Sequence, residues 1–208
     1  MLQISLHNAA KRFNKDWIFK DLSYTFEMGK HYALIGNNGS GKSTLLQVLA
    51  GYINLSKGTI TWDDHDTNTI YSQISIAAPY LELIEEFTTL EQFEFHEQFK
   101  PLRKDLRVEE MIDMIGLKQA SNKQIRYFSS GMKQRLKLAL AIFSEAPILL
   151  LDEPCSNLDK EGYALYHTLI NKYALNKLII VGSNDPLEYD YCKARVNLLD
   201  YKIVGNNN

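Results

Sequence analysis

An α/β fold is what this sequence predicts, with a mixed sheet core, an antiparallel β margin and an inserted helical subdomain. Three observations carry the prediction. Residues Gly36-Asn37-Asn38-Gly39-Ser40-Gly41-Lys42-Ser43 stand between a strand-like apolar run, Tyr32–Ile35, and a helical one, Leu45–Ala50. The run Ile148-Leu149-Leu150-Leu151 flows directly into Asp152-Glu153-Pro154, as the end of a strand buried on both faces. From Pro79 to Ser129 the texture changes to aromatic and charged residues at helical spacing. We therefore expect one domain over residues 1–208, with 1–78 and 130–208 forming the α/β core and about 79–129 the helical insertion. A chain of this length, 45% hydrophobic, buries a real core.

Strand-like runs at Leu2–His7, Trp17–Phe26, His31–Ile35 and Thr59–Trp62 alternate with turns and supply the antiparallel part. Helix Lys42–Ala50 carries Leu45, Leu46, Val48 and Leu49 almost all round it, so it is expected to be buried, and Gly51 suits the left-handed conformation that ends a helix. Ile74–Ala78 leads as a strand into the insertion. There Phe95 and Phe99 stand four apart, an aromatic stripe read for the most part as core packing. Val108, Met111, Ile112 and Ile115 define a second helix, with Asp105 as candidate cap and Gly116 as its stop. Beyond Ser129, one helical face is Met132, Leu136, Ala139, Leu140 and Phe143, followed by the strand Ile148–Leu151. Asp159 is placed to cap a helix with the face Leu165, Tyr166, Leu169, Ile170 and Tyr173, ahead of the strand Leu178–Val181. Strands joined by such helices pair in parallel through right-handed crossovers. The tail Gly205–Asn208 is expected to fray.

Net charge is −2 with a pI near 6.2, so no broad basic field argues for nucleic acid, and none is expected as a partner. Apolar runs such as Leu138–Phe143 fall far short of the roughly 18 residues that cross a bilayer. The first residues, Met1 to Leu6, lack the charged and apolar regions of a secretory signal, and a cytoplasmic protein is expected. Cys155 and Cys192 are the whole cysteine content, which suits reduced thiols and offers no metal-ligand spacing.

The glycine-rich stretch fits G-x-x-x-x-G-K-[ST] in the right strand–loop–helix context, which makes it a phosphate cradle. Glycines let the backbone wrap a triphosphate closely, and the following helix presents free N–H groups and its positive dipole end. Gly36, Asn37, Asn38, Gly39, Ser40, Gly41, Lys42, Ser43 and Thr44 are the candidate ATP contacts, Lys42 reaching the β- and γ-phosphates. The Ser43 hydroxyl suits a Mg²⁺ ion that keeps several waters. Asp152 and Glu153 stand at the carboxyl end of a buried strand, where α/β sheets bind their ligands. Asp152 would hold the metal through its waters, and Glu153 would polarise an attacking water as general base.

Upstream, Phe128-Ser129-Ser130-Gly131-Met132 opens a long amphipathic helix with a small polar turn. Phosphate loop, Ser129-Ser130-Gly131-Met132, Asp152-Glu153 and Ser156-Asn157-Leu158-Asp159 together resemble the ATP-binding cassette (ABC) ATPases, a branch of the P-loop NTPases, over nearly the whole chain. The most specific element is the signature Ser129–Met132, because other phosphate-loop families lack it. The resemblance implies a head-to-tail dimer, a homodimer being expected, in which the signature of one cassette closes over ATP held by the loop of the other. It implies that Ser129 and the Gly131 amide meet the γ-phosphate across that interface and that Asp159 communicates between the sites. It also implies that Phe13 stacks on adenine, with Trp17 as the fallback and simple packing as the other reading of Phe13.

Two positions depart from the family pattern. A glutamine that touches Mg²⁺ and senses the membrane partner usually follows the strand entering the insertion, and that slot falls on Pro79, which has no side-chain donor or acceptor. Gln73 and Glu82 are near in sequence but are not assigned. The switch histidine's slot falls on Asn184, which can donate to a γ-phosphate oxygen but cannot become cationic, or which organises a turn. The expected function is the ATP-hydrolysing subunit of an ABC transporter, peripheral to the membrane, slow without its polytopic membrane partner. Pro79–Phe99 is the expected docking region, with Leu81, Leu83 and Phe87 as anchors. The alternatives are a non-transport ABC ATPase acting on ribosomes or DNA, against which stand the single cassette and the absence of heptads or basic blocks, and an ATP-binding switch with very weak hydrolysis. A small-molecule kinase conflicts with the signature. Similarity to small export-type cassettes inclines the direction only weakly toward export, and no residue encodes it.

Overall fold

Every residue of the strand Ile148–Asp152 is buried, because neighbouring strands flank it on both sides and apolar layers cover both faces. The computed structural model describes residues 3–63 and 69–202; Leu2 of the first expected strand and the tail 205–208 lie outside the described residues. In chain order the elements are β1 (Gln3–Phe13), β2 (Asp16–Glu27), β3 (His31–Ile35), α1 (Lys42–Leu49), β4 (Lys57–Thr61), β5 (Ile74–Ala77), α2 (Thr89–Glu97), α3 (Val108–Met114), α4 (Ser130–Phe143), β6 (Ile148–Asp152), α5 (Lys160–Tyr173), β7 (Leu178–Gly182) and β8 (Ala194–Asn197). Five strands pair in parallel in the order β5-β6-β7-β3-β8. The antiparallel part is a three-stranded sheet of its own, β2-β1-β4.

The two-residue period of a strand divides the interior into two cores. Ile148 and Leu150 of β6 face α1 and the antiparallel sheet, in a cluster with Leu45, Leu46, Phe19 and Phe26. Leu149 and Leu151 face the opposite way, toward Leu136, Ala139 and Phe143 of α4 and Tyr166 and Leu169 of α5. Full burial of each such side chain contributes about 2 kcal/mol, so α1 and α4 are clamped onto opposite faces of one sheet. The insertion has no core separate from this: Phe93, Met111, Ile112 and Ile125 belong to the α4–α5 cluster.

One detail of the insertion was not anticipated and two differ from expectation. Thr88 and Glu91 cap α2 reciprocally, the Thr88 N–H donating to the Glu91 carboxylate at 2.7 Å and the Glu91 N–H to Thr88 Oγ1 at 3.3 Å. Asp105 does not cap α3: its carboxylate accepts two bonds from the Arg103 guanidinium at 2.6 and 2.7 Å, and the Arg107 N–H is satisfied by Glu110 at 2.8 Å. The aromatic stripe is not core, since Phe95 and Phe99 are 42% and 61% exposed while Phe93 is fully buried. Two residues turn a helix by about 200°, so Phe95 points away from the face that Phe93 buries. The Phe95 ring sits edge-on to Phe87 and Phe99 at 5.6 and 5.2 Å.

The sheet also gains β8, which sequence inspection missed because Val196 is its single fully buried position. β1 is longer than its apolar run because register shifts carry the pairing through Asn8 to Lys11. Gly58 lies at φ 78° against one of these irregularities, and a Cβ there would overlap the carbonyl oxygens of Asn8 and His7. Gly58→Ala is expected to cost about 3 kcal/mol of stability, from left-handed strain and a backbone clash together, read as a fall in the urea midpoint.

Candidate active site

The phosphate loop leaves β3 at the carboxyl edge of the parallel sheet, beside β7 in the strand order and one strand from β6. Its glycines are conformational requirements. Gly36 adopts φ 143°, and a Cβ there would lie 2.7 Å from Ser40 Oγ; Gly41 adopts φ 105°, and a Cβ there would lie 2.5 Å from Ile18 Cγ2. A turn closes within the loop, the Ser40 N–H donating to the Asn37 carbonyl at 2.9 Å. No side chain caps α1 and no acid occupies its first turn, which leaves amides at the helix start free for an anion.

Lys42 and Asn184 lock the loop from two sides. The Lys42 ammonium donates to the Gly36 carbonyl at 2.8 Å, to that of Asn37 at 3.5 Å and to Asn184 Oδ1 at 3.0 Å. Asn184 Nδ2 donates to Asn38 Oδ1 at 2.7 Å. A cavity of about 230 Å³ opens between the loop, Ile18 and Glu153, with Lys42, Ser43 and Thr44 in its wall. Ile18 was missed by sequence reasoning; the signal for it is the glycine at 41, whose missing Cβ makes room for that side chain.

Asp152 lies opposite Gly182 in the β6–β7 register and is 2% exposed. Burial pushes its carboxyl up to about 6, against the hydrogen bond from the Ser43 hydroxyl, which lowers it. Its Oδ1 has no partner. A buried carboxylate with an orphaned oxygen, beside an alcohol in the neighbouring cavity wall, is a pair of hard oxygen donors that suits Mg²⁺ with water and phosphate oxygens completing the shell. Burial also lowers the Lys42 ammonium, while Glu153 and Asp152 act to raise it. Glu153 is exposed at the cavity, with a left-handed backbone at φ 44°.

Other expected residues stand apart from this cavity. Phe13, at the end of β1, is 47% exposed, so the packing reading of it is set aside; the Lys11 ammonium lies 4.9 Å over its ring. Trp17 sits among Arg12, Lys20 and Lys57, the nearest ammonium 4.3 Å from its ring. Ser129 caps α4, its Oγ accepting from the Met132 N–H at 3.2 Å, and Ser130 is exposed beside it. A Cβ on Gly131 would lie 3.1 Å from the Asn157 carbonyl oxygen. Asp159 caps α5, accepting from Gly162 at 2.8 Å, and pairs with Arg135 at 3.4 Å. Pro79 is exposed, its carbonyl accepting from Lys137 at 3.1 Å. Gln73 precedes β5 at the opposite edge of the sheet from the site. Tyr80, also missed, has its hydroxyl pushed up to about 12, first by burial and then by the Asp152 charge, with Gln47 acting to lower it.

Comparison with known proteins places the chain in a family. The ABC transporter family profile matches residues 19–156, a span that contains the loop, the signature and the Asp152-Glu153 pair. The chain is 33% identical over 170 residues to the uncharacterized ABC transporter ATP-binding protein YybJ of Bacillus subtilis, covering 80% of this chain and 78% of that one. It is 30% identical over 195 residues to the cytochrome c biogenesis ATP-binding export protein CcmA of Rhizobium etli, covering 89% and 90%. In fold it is similar to an ATP-binding cassette solved as a dimer in a post-hydrolysis state with ADP and Pi, at a TM-score of 0.82, 22% identity and 97% coverage of each chain. A profile match that runs from β2 past the Asp-Glu strand end, together with relatives of this identity and coverage, makes the chain an ATPase of the ABC transporter family.

Proposed function

We propose that the chain is the nucleotide-binding subunit of a transporter, coupling head-to-tail dimerisation on ATP to a separately encoded membrane protein. One observation carries the dimer: the cavity wall contains the loop and Glu153 but none of Ser129–Met132, which stand at the exposed start of α4. A second copy then supplies the signature to the γ-phosphate, as the family resemblance implies. Within one chain, Lys42 and the amides of the loop and of α1 bind the phosphates, and Glu153 takes the proton of the attacking water. Ser43 and Asp152 would hold Mg²⁺, which when bound neutralises charge on the β- and γ-phosphate oxygens. Asn184 replaces a titratable switch by a neutral amide already committed to Lys42 and Asn38, and Pro79 removes a metal contact, so hydrolysis is slow until the membrane partner docks.

Docking is assigned to the groove between Tyr52 and the insertion, lined by Leu81 and Leu83 with Phe95 and Phe99 as the exposed aromatic anchors; Phe87 supports them from a half-buried position. The relatives' printed roles in transport support this reading, as does the lack of any helix among the described residues long and apolar enough to cross a membrane. The placement is on the cytoplasmic face of the membrane. Sedimentation of the purified chain should show a monomer that becomes a dimer with ATP and Mg²⁺ in the Glu153→Gln variant, and affinity purification from membranes should recover a polytopic protein. A monomer under all nucleotide conditions would overturn the dimer, and capture of ribosomes in place of a membrane protein would overturn the transport role.

A further inference from the structure

Glu153 is set apart from the other non-glycine residues with positive φ among the described residues, all of which are Asn or Asp. Asn and Asp tolerate the left-handed region because their short side chains bond locally, whereas a glutamate there is strained and stays only if its surroundings hold it. On the near side the holding group is evident: the Glu153 N–H donates to the Gly182 carbonyl at 2.9 Å. On the far side the Glu153 carbonyl accepts from the Ser156 N–H at 3.0 Å, which makes a turn over 153–156. Inside that turn the Cys155 N–H points not to backbone but to Glu188 Oε1, at 2.7 Å and away from water.

Glu188 is 3% exposed and bonds to nothing in the cavity described above. It closes the short 3₁₀ turn Pro186–Glu188, directly after Asn184 and Asp185. The turn is pinned in its own right: Tyr166 donates its hydroxyl to the Glu188 carbonyl at 2.8 Å, and Tyr163 donates to Asp185 Oδ2 at 2.8 Å. A buried carboxylate is costly unless it is hydrogen-bonded; burial raises the Glu188 carboxyl while the Ser183 hydroxyl and the Cys155 amide favour its charged form, and of these the amide alone ties it to the turn after β6.

We propose that Glu188 is a positioning residue for hydrolysis, holding the turn after β6 so that Glu153 keeps its left-handed backbone and its side chain faces the loop. It joins the two segments that meet the γ-phosphate end, the one carrying Glu153 and the one carrying Asn184, so that a shift of either is felt by the other. The inference rests on Glu153 acting as the base, and its test separates the two claims.

The experiment compares Glu188→Gln, Glu188→Asp and Glu188→Ala with the unaltered full chain. It reads ATP turnover, ATP affinity and amide hydrogen exchange of the peptide covering residues 153–158. Glutamine keeps an acceptor at the same reach, so its turnover should stay within threefold and its exchange within twofold. Aspartate keeps the charge but withdraws it by one methylene; turnover should fall about tenfold, with ATP affinity within threefold and exchange of the 153–158 peptide at least tenfold faster. Alanine should follow aspartate more strongly, and aspartate serves as the deciding variant if alanine does not fold. Unchanged exchange in the aspartate variant would overturn the positioning role, as would equal losses in the glutamine and aspartate variants. Faster exchange with turnover indifferent to both Glu188→Asp and Glu153→Gln would retain the hold on the turn and remove Glu153 as the base.

Discussion

Replacing Glu153 by Gln is expected to lower ATP turnover at least a hundredfold, the low end of what a positioned general base contributes, while ATP binding persists. The size of the effect follows from the position. Glu153 lies one residue beyond the buried Asp152, in the wall of the cavity that holds the loop, Lys42 and Ser43, and it is exposed there. Gln is the same shape, so the backbone at φ 44° and its bond to Gly182 are undisturbed, but an amide cannot take a proton from water. The neutral side chain also removes a negative charge from the wall that faces a triphosphate. The variant should therefore hold ATP at least as well as the unaltered chain and accumulate as the ATP-bound dimer. Phosphate release measured alongside nucleotide affinity distinguishes this from a folding defect: the loss should fall in kcat with KM little changed. Equal turnover in the two proteins would move the base to another group.

The parts of this site that were legible in the sequence are those whose chemistry is local. The phosphate loop is a contiguous backbone device, so its glycines and Lys42 announce it. The Asp152-Glu153 pair is legible because a strand buried on both faces reads as an unbroken apolar run, and β6 is that strand. The helices α1, α4 and α5 were legible for the same reason, their apolar periodicity being the imprint of the two cores. What escaped is what two distant segments make together. Ile18 reaches the loop only because β2 packs against it, and Glu188 reaches Cys155 across 33 residues of chain. β8 has a single fully buried position and carries no periodic signal, and Phe95 and Phe99 imitate a core stripe while facing outward. Asp105 looked like a cap by its residue type, but the Arg103 guanidinium two residues away competes for the carboxylate and wins with two short bonds. Spacing proposes partners within a few residues; which partner is taken depends on charge and geometry that spacing does not contain.

Lys42→Ala should abolish useful ATP binding while leaving the fold intact, and the two halves of that expectation have separate causes. A cation bonded to phosphate oxygens contributes about 1.5–3 kcal/mol per hydrogen bond, so losing contacts to the β- and γ-phosphates should weaken affinity about a hundredfold or more. The effect on stability is small because it has two signs. Without nucleotide, Lys42 is 5% exposed and its charge is disfavoured by burial, a cost that alanine removes. Against that, the carbonyl of Gly36 and Asn184 Oδ1 lose a donor at 2.8 and 3.0 Å. Asn184 is exposed and Gly36 partly so, and water can replace the amine there. Arginine should not rescue, since its planar fork has no place where a compact ammonium meets two carbonyls and an amide at once. A thermal shift measurement reads both halves together. At ATP a hundred times above its Kd the unaltered chain gains about 2.7 kcal/mol. For a domain of this size that raises Tm by about 5–10 °C. The variant should melt within about 3 °C of the unaltered chain without nucleotide and gain almost nothing from ATP. A full ATP-dependent shift in Lys42→Ala would mean that the loop and the α1 amides hold the triphosphate without the lysine, and that the bonds of Lys42 to Gly36 and Asn184 serve the loop's shape alone.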